Sequence, residues 1–151
     1  MKLLDPPETS FHRPPVVNQR GGSGLLSTAA DYIKFAQMVA DGGTYEGRRY
    51  LGRKTVELMT SNHLPLSMLP LAVTNEFPGT GFGLGFHNIV NVADTRFQGS
   101  VGNHGWSGAA DTNFWIDPVE NLIGMSFMQY IPSRTIAARD DFSNFLYQAL
   151  I

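Results

Sequence analysis

The sequence predicts an α+β fold, an antiparallel sheet of about three to four strands with flanking helices. Three observations point to it. Apolar residues recur at helical intervals over Tyr32, Phe35, Ala36 and Val39, and again over Phe142, Phe145, Leu146 and Leu150. Between these stretches, large apolar residues alternate with glycine from Gly81 to Phe86, the period of a strand. Asp117-Pro118-Val119-Glu120-Asn121 then separates two apolar runs, as a hairpin turn does.

Each element has a local cause. Thr28 and Asp31 have capping-box spacing and open the first helix, which Gly42 and Gly43 end. A connector over 44–52 leads to a second helix, Arg53 to Thr60, with Val56 and Met59 inward. Residues 61–79 read as loop, punctuated by Pro65, Pro70 and Pro78. Strands follow at Gly81–Phe86, Gly99–Gly105, Asp111–Ile116 and Leu122–Tyr130, and a last helix runs from Ala137 to Leu150. Residues 1–24, with Pro6, Pro7, Pro14, Pro15, Gly21, Gly22 and Gly24, read as an extended arm, and 25–151 as a partial domain. The reason for "partial" is the run Leu122 to Met128, apolar on both faces although its hairpin partner covers only one edge. Another strand is expected beside it, from an N-terminal half outside these residues or from a second copy of the chain.

Composition excludes several function classes. With 42% hydrophobic residues, the 151-residue chain is globular and long enough for one domain. A net charge of −2 without a basic stripe argues against nucleic acid as a partner. No run approaches the ~20 apolar residues that cross a bilayer, so no membrane role is expected. The start, Met-Lys-Leu-Leu-Asp-Pro-Pro, is too short an apolar stretch for a signal peptide, which makes the cytoplasm the default compartment. The absence of cysteine removes disulfides, thiolate metal sites and cysteine nucleophiles.

The chemistry-bearing residues thin out on inspection. His12, His63, His87 and His104 lie far apart, without metal-ligand spacing, and no metal is expected. Gly21-Gly22-Ser23-Gly24 lacks the Lys-Ser/Thr of a phosphate loop. Asp140-Asp141 suits a helix start, and Asp117 with Glu120 a turn, better than a pair of acid and base. Phe114 and Trp115 lack the interleaved basic residues of a base-stacking platform. No serine has lysine three residues on, and no Gly-x-Ser-x-Gly elbow exists. A Ser-His-Asp arrangement stays open, without local support.

Three stretches nevertheless share one resemblance. Gly21 to Tyr32 with Phe35-Ala36-Gln37-Met38, then Leu51 to His63, then Gly81–Phe86 with Gly105-Trp106-Ser107-Gly108-Ala109-Ala110-Asp111-Thr112 through Pro118, together resemble the class C β-lactamase-like serine hydrolases. That superfamily includes esterases, penicillin-binding-protein relatives and D-amino-acid peptidases. The likeness covers about Gly21 to Leu150 and is to the C-terminal portion of the fold. The family's Ser-x-x-Lys and Tyr-x-Asn motifs are absent from this chain. Its third motif, a Lys-Thr-Gly-like triplet on an edge strand, is matched by Trp106-Ser107-Gly108, similar to the Trp-Gly-Gly version of esterase-like members. A second register, His104-Gly105-Trp106, would match the family's His-x-Gly variant.

The resemblance implies acyl-serine hydrolysis of an ester, β-lactam or D-amino-acid peptide, with no cofactor. In the preferred register the backbone N–H of Ala109 would serve the oxyanion, Ser107 would bind substrate, and Trp106 would form an apolar wall where relatives place a cation. Gly108 could instead simply relieve packing on a strand. Lacking a nucleophile, the chain is expected to be inactive alone and to take a small ester or amide substrate only when completed. The rival reading is a non-catalytic binding or assembly module built on the same sheet.

Overall fold

The computed structural model describes residues 2–10, 15, 22, 24–69, 78–95, 97–133 and 135–151. Pro14 and Gly21 of the expected arm, and Pro70 of the expected loop, lie outside the described residues. Helix α1 spans Ala29–Ala40 and starts where the capping spacing places it. Thr28 Oγ1 accepts from the Asp31 N–H at 3.2 Å and donates to the Asp31 carboxylate at 3.1 Å. Helix α2 is Arg53–Thr60, as its periodicity predicts. The segment between them, read as a plain connector, folds into a small hairpin of β1 (Thr44–Tyr45) and β2 (Arg48–Arg49).

The main sheet has five strands, not three to four. They are β3 (Thr80–Phe82), β4 (His87–Ile89), β5 (His104–Ser107), β6 (Asn113–Asp117) and β7 (Leu122–Ser126). All pair antiparallel with their sequence neighbours. The single strand expected over Gly81–Phe86 holds only for Gly81 and Phe82, in β3, and residues 83–86 turn the chain into β4. The Gly83 N–H bonds back to Phe86 O at 2.7 Å and the Leu84 N–H to Met59 O at 2.8 Å, which ends β3 and starts β4. Glycine alternation mimicked strand period, while β4 itself is too short to show one. Three further boundaries move. Residues 100–103 form a turn, closed by the Asn103 N–H on Ser100 O, so β5 begins at His104. Asp111 takes φ +64, so β6 begins later, and β7 stops at Ser126.

The sheet lies between helices. On one face α1 and α2 cover Phe86, Phe114 and Ile116, packed with Ala36, Val39 and Val56 and flanked by Ile123 and Met125. Each such large side chain contributes roughly 1.5–3 kcal/mol of burial. On the other face lies α3, Ala138–Gln148, whose Phe142 and Tyr147 flank Trp115 at ring distances of 6.0 and 6.5 Å. Trp115 lies flat over Gly124, its cross-strand partner. Strand β7, expected to be apolar on both faces, is half-buried under both layers. It ends the sheet, with β6 beside it and no strand on its outer edge among the described residues.

Two fully buried carboxylates tie α3 to β6. Asp117 accepts from the Tyr147 hydroxyl at 2.8 Å and from the Ser100 N–H at 3.0 Å, while its other oxygen closes the hairpin turn on Val119 and Glu120. Tyr147 in turn accepts from Asn103 Nδ2 at 2.7 Å, and burial followed by the Asp117 carboxylate raises its pKa. At the other end of the strand, Asp111 faces Arg139 Nη1 at 3.5 Å. The hydrogen bonds to the buried Asp117 carboxylate are worth about 1.5–3 kcal/mol each, while Asp111 and Arg139 form an ion pair without a short hydrogen bond between the paired atoms.

Two stability predictions follow from this packing. A Cβ on Gly124 would fall 2.1 Å from the Trp115 ring, so Gly124→Ala should cost about 1–3 kcal/mol in urea unfolding; an unchanged midpoint would refute the contact. His87 has its pKa lowered to about 4, first by loss of hydration and then by the charges of Arg139 and His104. The unfolded chain, with an ordinary histidine pKa near 6.5, therefore binds more protons than the folded one between about pH 6.5 and 4. Stability falls as pH falls through that window. His87→Gln should flatten this slope in melting temperature, and a parallel slope in the variant would remove His87 as its source.

Candidate active site

The triplet singled out by resemblance lies at the end of β5, where the strand turns into β6. His104, Trp106 and Ser107 belong to β5 itself; Gly108 starts the loop. The Gly108 N–H bonds Thr112 O at 2.8 Å and the Asp111 N–H bonds Gly108 O at 3.0 Å, closing a three-residue loop of Ala109, Ala110 and Asp111. Hairpin loops of this length end in a left-handed residue, which explains the positive φ of Asp111.

A cleft of about 440 Å³ opens beside this loop. One wall is Trp106, Ser107, Gly108, Thr112 and Asn113. The other is Leu25, Leu26 and Ser27, which precede α1, with Phe127 and Gln129, which follow β7. Its floor is aromatic: the Tyr32 ring meets Phe114 at 5.0 Å and Phe127 at 5.9 Å. Trp106 is held edge-on against Phe82 at 5.2 Å and stays one-third exposed toward the opening. Among the described residues, no charged side chain lines the cleft. Neither the Ser107 hydroxyl nor the Ala109 N–H makes a hydrogen bond there. The arrangement offers an apolar slot with an uncommitted hydroxyl on its lining and an uncommitted amide in the exposed loop residue that follows Gly108. That combination can hold a neutral carbonyl compound and stabilise charge growing on its oxygen.

The structure thus groups Trp106, Ser107 and Gly108, with Ala109 next in the loop, and leaves His104 elsewhere. His104 is buried on the α1–α2 face, where its ring meets Phe86 edge-on at 5.6 Å. Its Nδ1 lies 2.8 Å from Gly102 O, so that nitrogen carries the proton, and burial lowers the ring's pKa. It lines a separate cavity of about 880 Å³ at the far end of the sheet. The sequence pointed to Tyr32 as a helix face and to Phe127 as part of an apolar strand, but to none of Leu25, Leu26, Tyr32, Phe127 and Gln129 as a wall of the site. The signal available was Leu25-Leu26, two adjacent leucines after a glycine run, 97% and 74% exposed in the fold. No group of histidine and carboxylate side chains among the described residues has metal-binding geometry. No helix there is long and apolar enough to cross a membrane.

Several known proteins resemble this chain in sequence or in fold. The protein Rv1367c of Mycobacterium tuberculosis is 31% identical over 141 residues, which is 90% of this chain and 34% of that protein. Its counterpart in a second strain of that organism matches equally. The chain spans about a third of the length of these relatives. Among solved structures, simvastatin synthase from Aspergillus terreus superposes with a TM-score of 0.70 at 21% identity, covering 86% of this chain and 36% of that one. EstCE1, described as a hydrolase with promiscuous acyltransferase activity, gives 0.69 at 19% identity over 84% of this chain and 31% of that one. These structural likenesses show the fold, with the same α+β architecture. The Beta-lactamase family model matches residues 2–146, nearly the whole length, and the chain belongs to the β-lactamase family.

Proposed function

We propose that this chain supplies the oxyanion strand and the acyl-binding wall of a serine hydrolase or acyltransferase of the β-lactamase family. The nucleophile and its base would come from a segment bearing Ser-x-x-Lys and Tyr-x-Asn, which these 151 residues do not contain. The observation that carries the reading is the uncharged, apolar-walled cleft at the end of β5, with a free Ser107 hydroxyl on its lining and a free Ala109 N–H in the loop that adjoins it. A developing oxyanion takes its hydrogen bond from such a preorganised amide. Trp106 in place of a cation favours a neutral ester or acyl group over a lactam carrying a carboxylate. EstCE1 is described as a hydrolase with promiscuous acyltransferase activity, which agrees with that preference.

The same reading gives the outer edge of β7 a role. Its backbone N–H and C=O groups face outward with no strand beside them among the described residues, and such an edge invites pairing with another chain. The completing segment would occupy it; without that segment, a second copy would. The chain by itself should therefore self-associate in sedimentation at high micromolar concentration. A stable, cooperatively unfolding monomer under those conditions would refute the open edge.

Activity tests the site. The chain alone should turn over neither p-nitrophenyl butyrate nor a chromogenic cephalosporin. Joined to the part of Rv1367c outside the matched residues, it should hydrolyse the butyrate ester in preference to the cephalosporin. In that completed protein Ala109→Pro should lower kcat by about 10²–10³, roughly 2.7–4 kcal/mol, by removing one donor. Position 109 is second in its β-turn, where proline's fixed φ is tolerated, so the variant should fold. His104→Ala should be milder. The reverse ranking, or turnover by the chain alone, would overturn the assignment.

A further inference from the structure

We propose that the buried Asp111–Arg139 ion pair is the device that positions the oxyanion loop, holding Ala109 in place from behind the sheet. The inference rests on the assignment of Ala109 made above, and it adds two positioning residues to that site.

The loop's own backbone does not require an aspartate. Its third residue needs a left-handed φ, which glycine adopts without cost and aspartate adopts under strain. Two hydrogen bonds, Gly108 to Thr112 and Asp111 to Gly108, close the turn whichever residue sits there. What the aspartate adds is a carboxylate that is wholly buried, 3.5 Å from the guanidinium of Arg139 in the first turn of α3. Arg139 is itself only 7% exposed and is steadied on its far side by Asp140 at 3.7 Å. An ion pair so enclosed has little room to rearrange, because separating the two charges would bring neither of them to water.

The geometry gives the pair leverage on the cleft. Asp111 is two residues from Ala109, and the loop between them is also tethered by the Tyr130 N–H on Ala110 O at 3.0 Å. That tether comes from the chain after β7, on the cleft side; the ion pair comes from α3, on the opposite face. The loop is thereby pinned from both sides. A donor to a developing oxyanion contributes most when it need not move as charge appears.

Amide hydrogen exchange on the ¹⁵N-labelled chain tests this without any catalysis. In Arg139→Met, the amides of Gly108 and Tyr130 should exchange at least tenfold faster, while Leu84 and Ile89, bonded elsewhere in the sheet, change less than twofold. The double variant Asp111→Gly with Arg139→Met removes both buried charges. It should regain most of the melting temperature yet keep the fast loop amides. A rise at Gly108 and Tyr130 no larger than at Leu84 and Ile89 would reduce the pair to general stability and overturn the proposal. So would full loop protection in the double variant. In the completed enzyme, loosening should lower kcat about tenfold with KM within twofold. An unchanged kcat alongside a loosened loop overturns the positioning role, whereas Ala109→Pro tests the donor itself independently.

Discussion

The structure depends on the way α3 is fastened to β6. That strand is flanked by two fully buried carboxylates, Asp111 just before it and Asp117 at its end, and each is taken up by α3, through Arg139 and Tyr147 respectively. Between these two attachments Trp115 fills the interval, with Phe142 and Tyr147 against its ring and Gly124 beneath it. Apolar contact alone would let a helix slide along a sheet by small amounts. Two buried polar attachments do not, because a displaced carboxylate would lose partners where no water can replace them. The fastening sets the start of β5 as well, since Asp117 also holds the Ser100 amide and Tyr147 the Asn103 amide.

The two faces of the sheet then divide the work. On the α1–α2 side the core is aromatic and aliphatic, and Tyr32, Phe114 and Phe127 continue it out to the cleft. On the α3 side the polar attachments lie at the two ends of one strand. The proposed catalytic loop is where the two sides meet: its cleft face is apolar and uncharged, its hidden face ionic. A slot that binds a neutral acyl group and a donor that must not move call for these two environments, and β6 is narrow enough to hold both.

The helices were legible in the sequence because their causes are local. Thr28 and Asp31 marked one start, Gly42 and Gly43 one end, and the periods of Arg53–Thr60 were enough for α2. The turn over 117–121 was legible for the same reason, through Asp117 capping its own backbone. The boundary between β3 and β4 was not, because the bond that turns the chain at Leu84 is to Met59, a partner set by α2. The hairpin of β1 and β2 was too short to leave a pattern. At the candidate site, the triplet 106–108 was singled out by resemblance, and the residues the fold packs around it were not. Leu25, Phe127 and Arg139 come from three distant stretches, and Asp111 reads as the first residue of a strand until Arg139 is seen beside it.

This arrangement bears on how a divided active site would come together. Fixing a loop residue costs roughly 1–2 kcal/mol of backbone entropy, a cost that weakens association whenever the loop orders only on contact. Here the loop 108–112 is closed by its own hydrogen bonds, tethered to Tyr130 and paired to α3. None of those contacts involves the outer edge of β7. On the reading proposed here, a completing segment would bring a nucleophile to a donor already in position, and its binding energy would be free for the sheet edge and the cleft. The attachment of α3 to β6 thereby separates the ordering of the site from its completion.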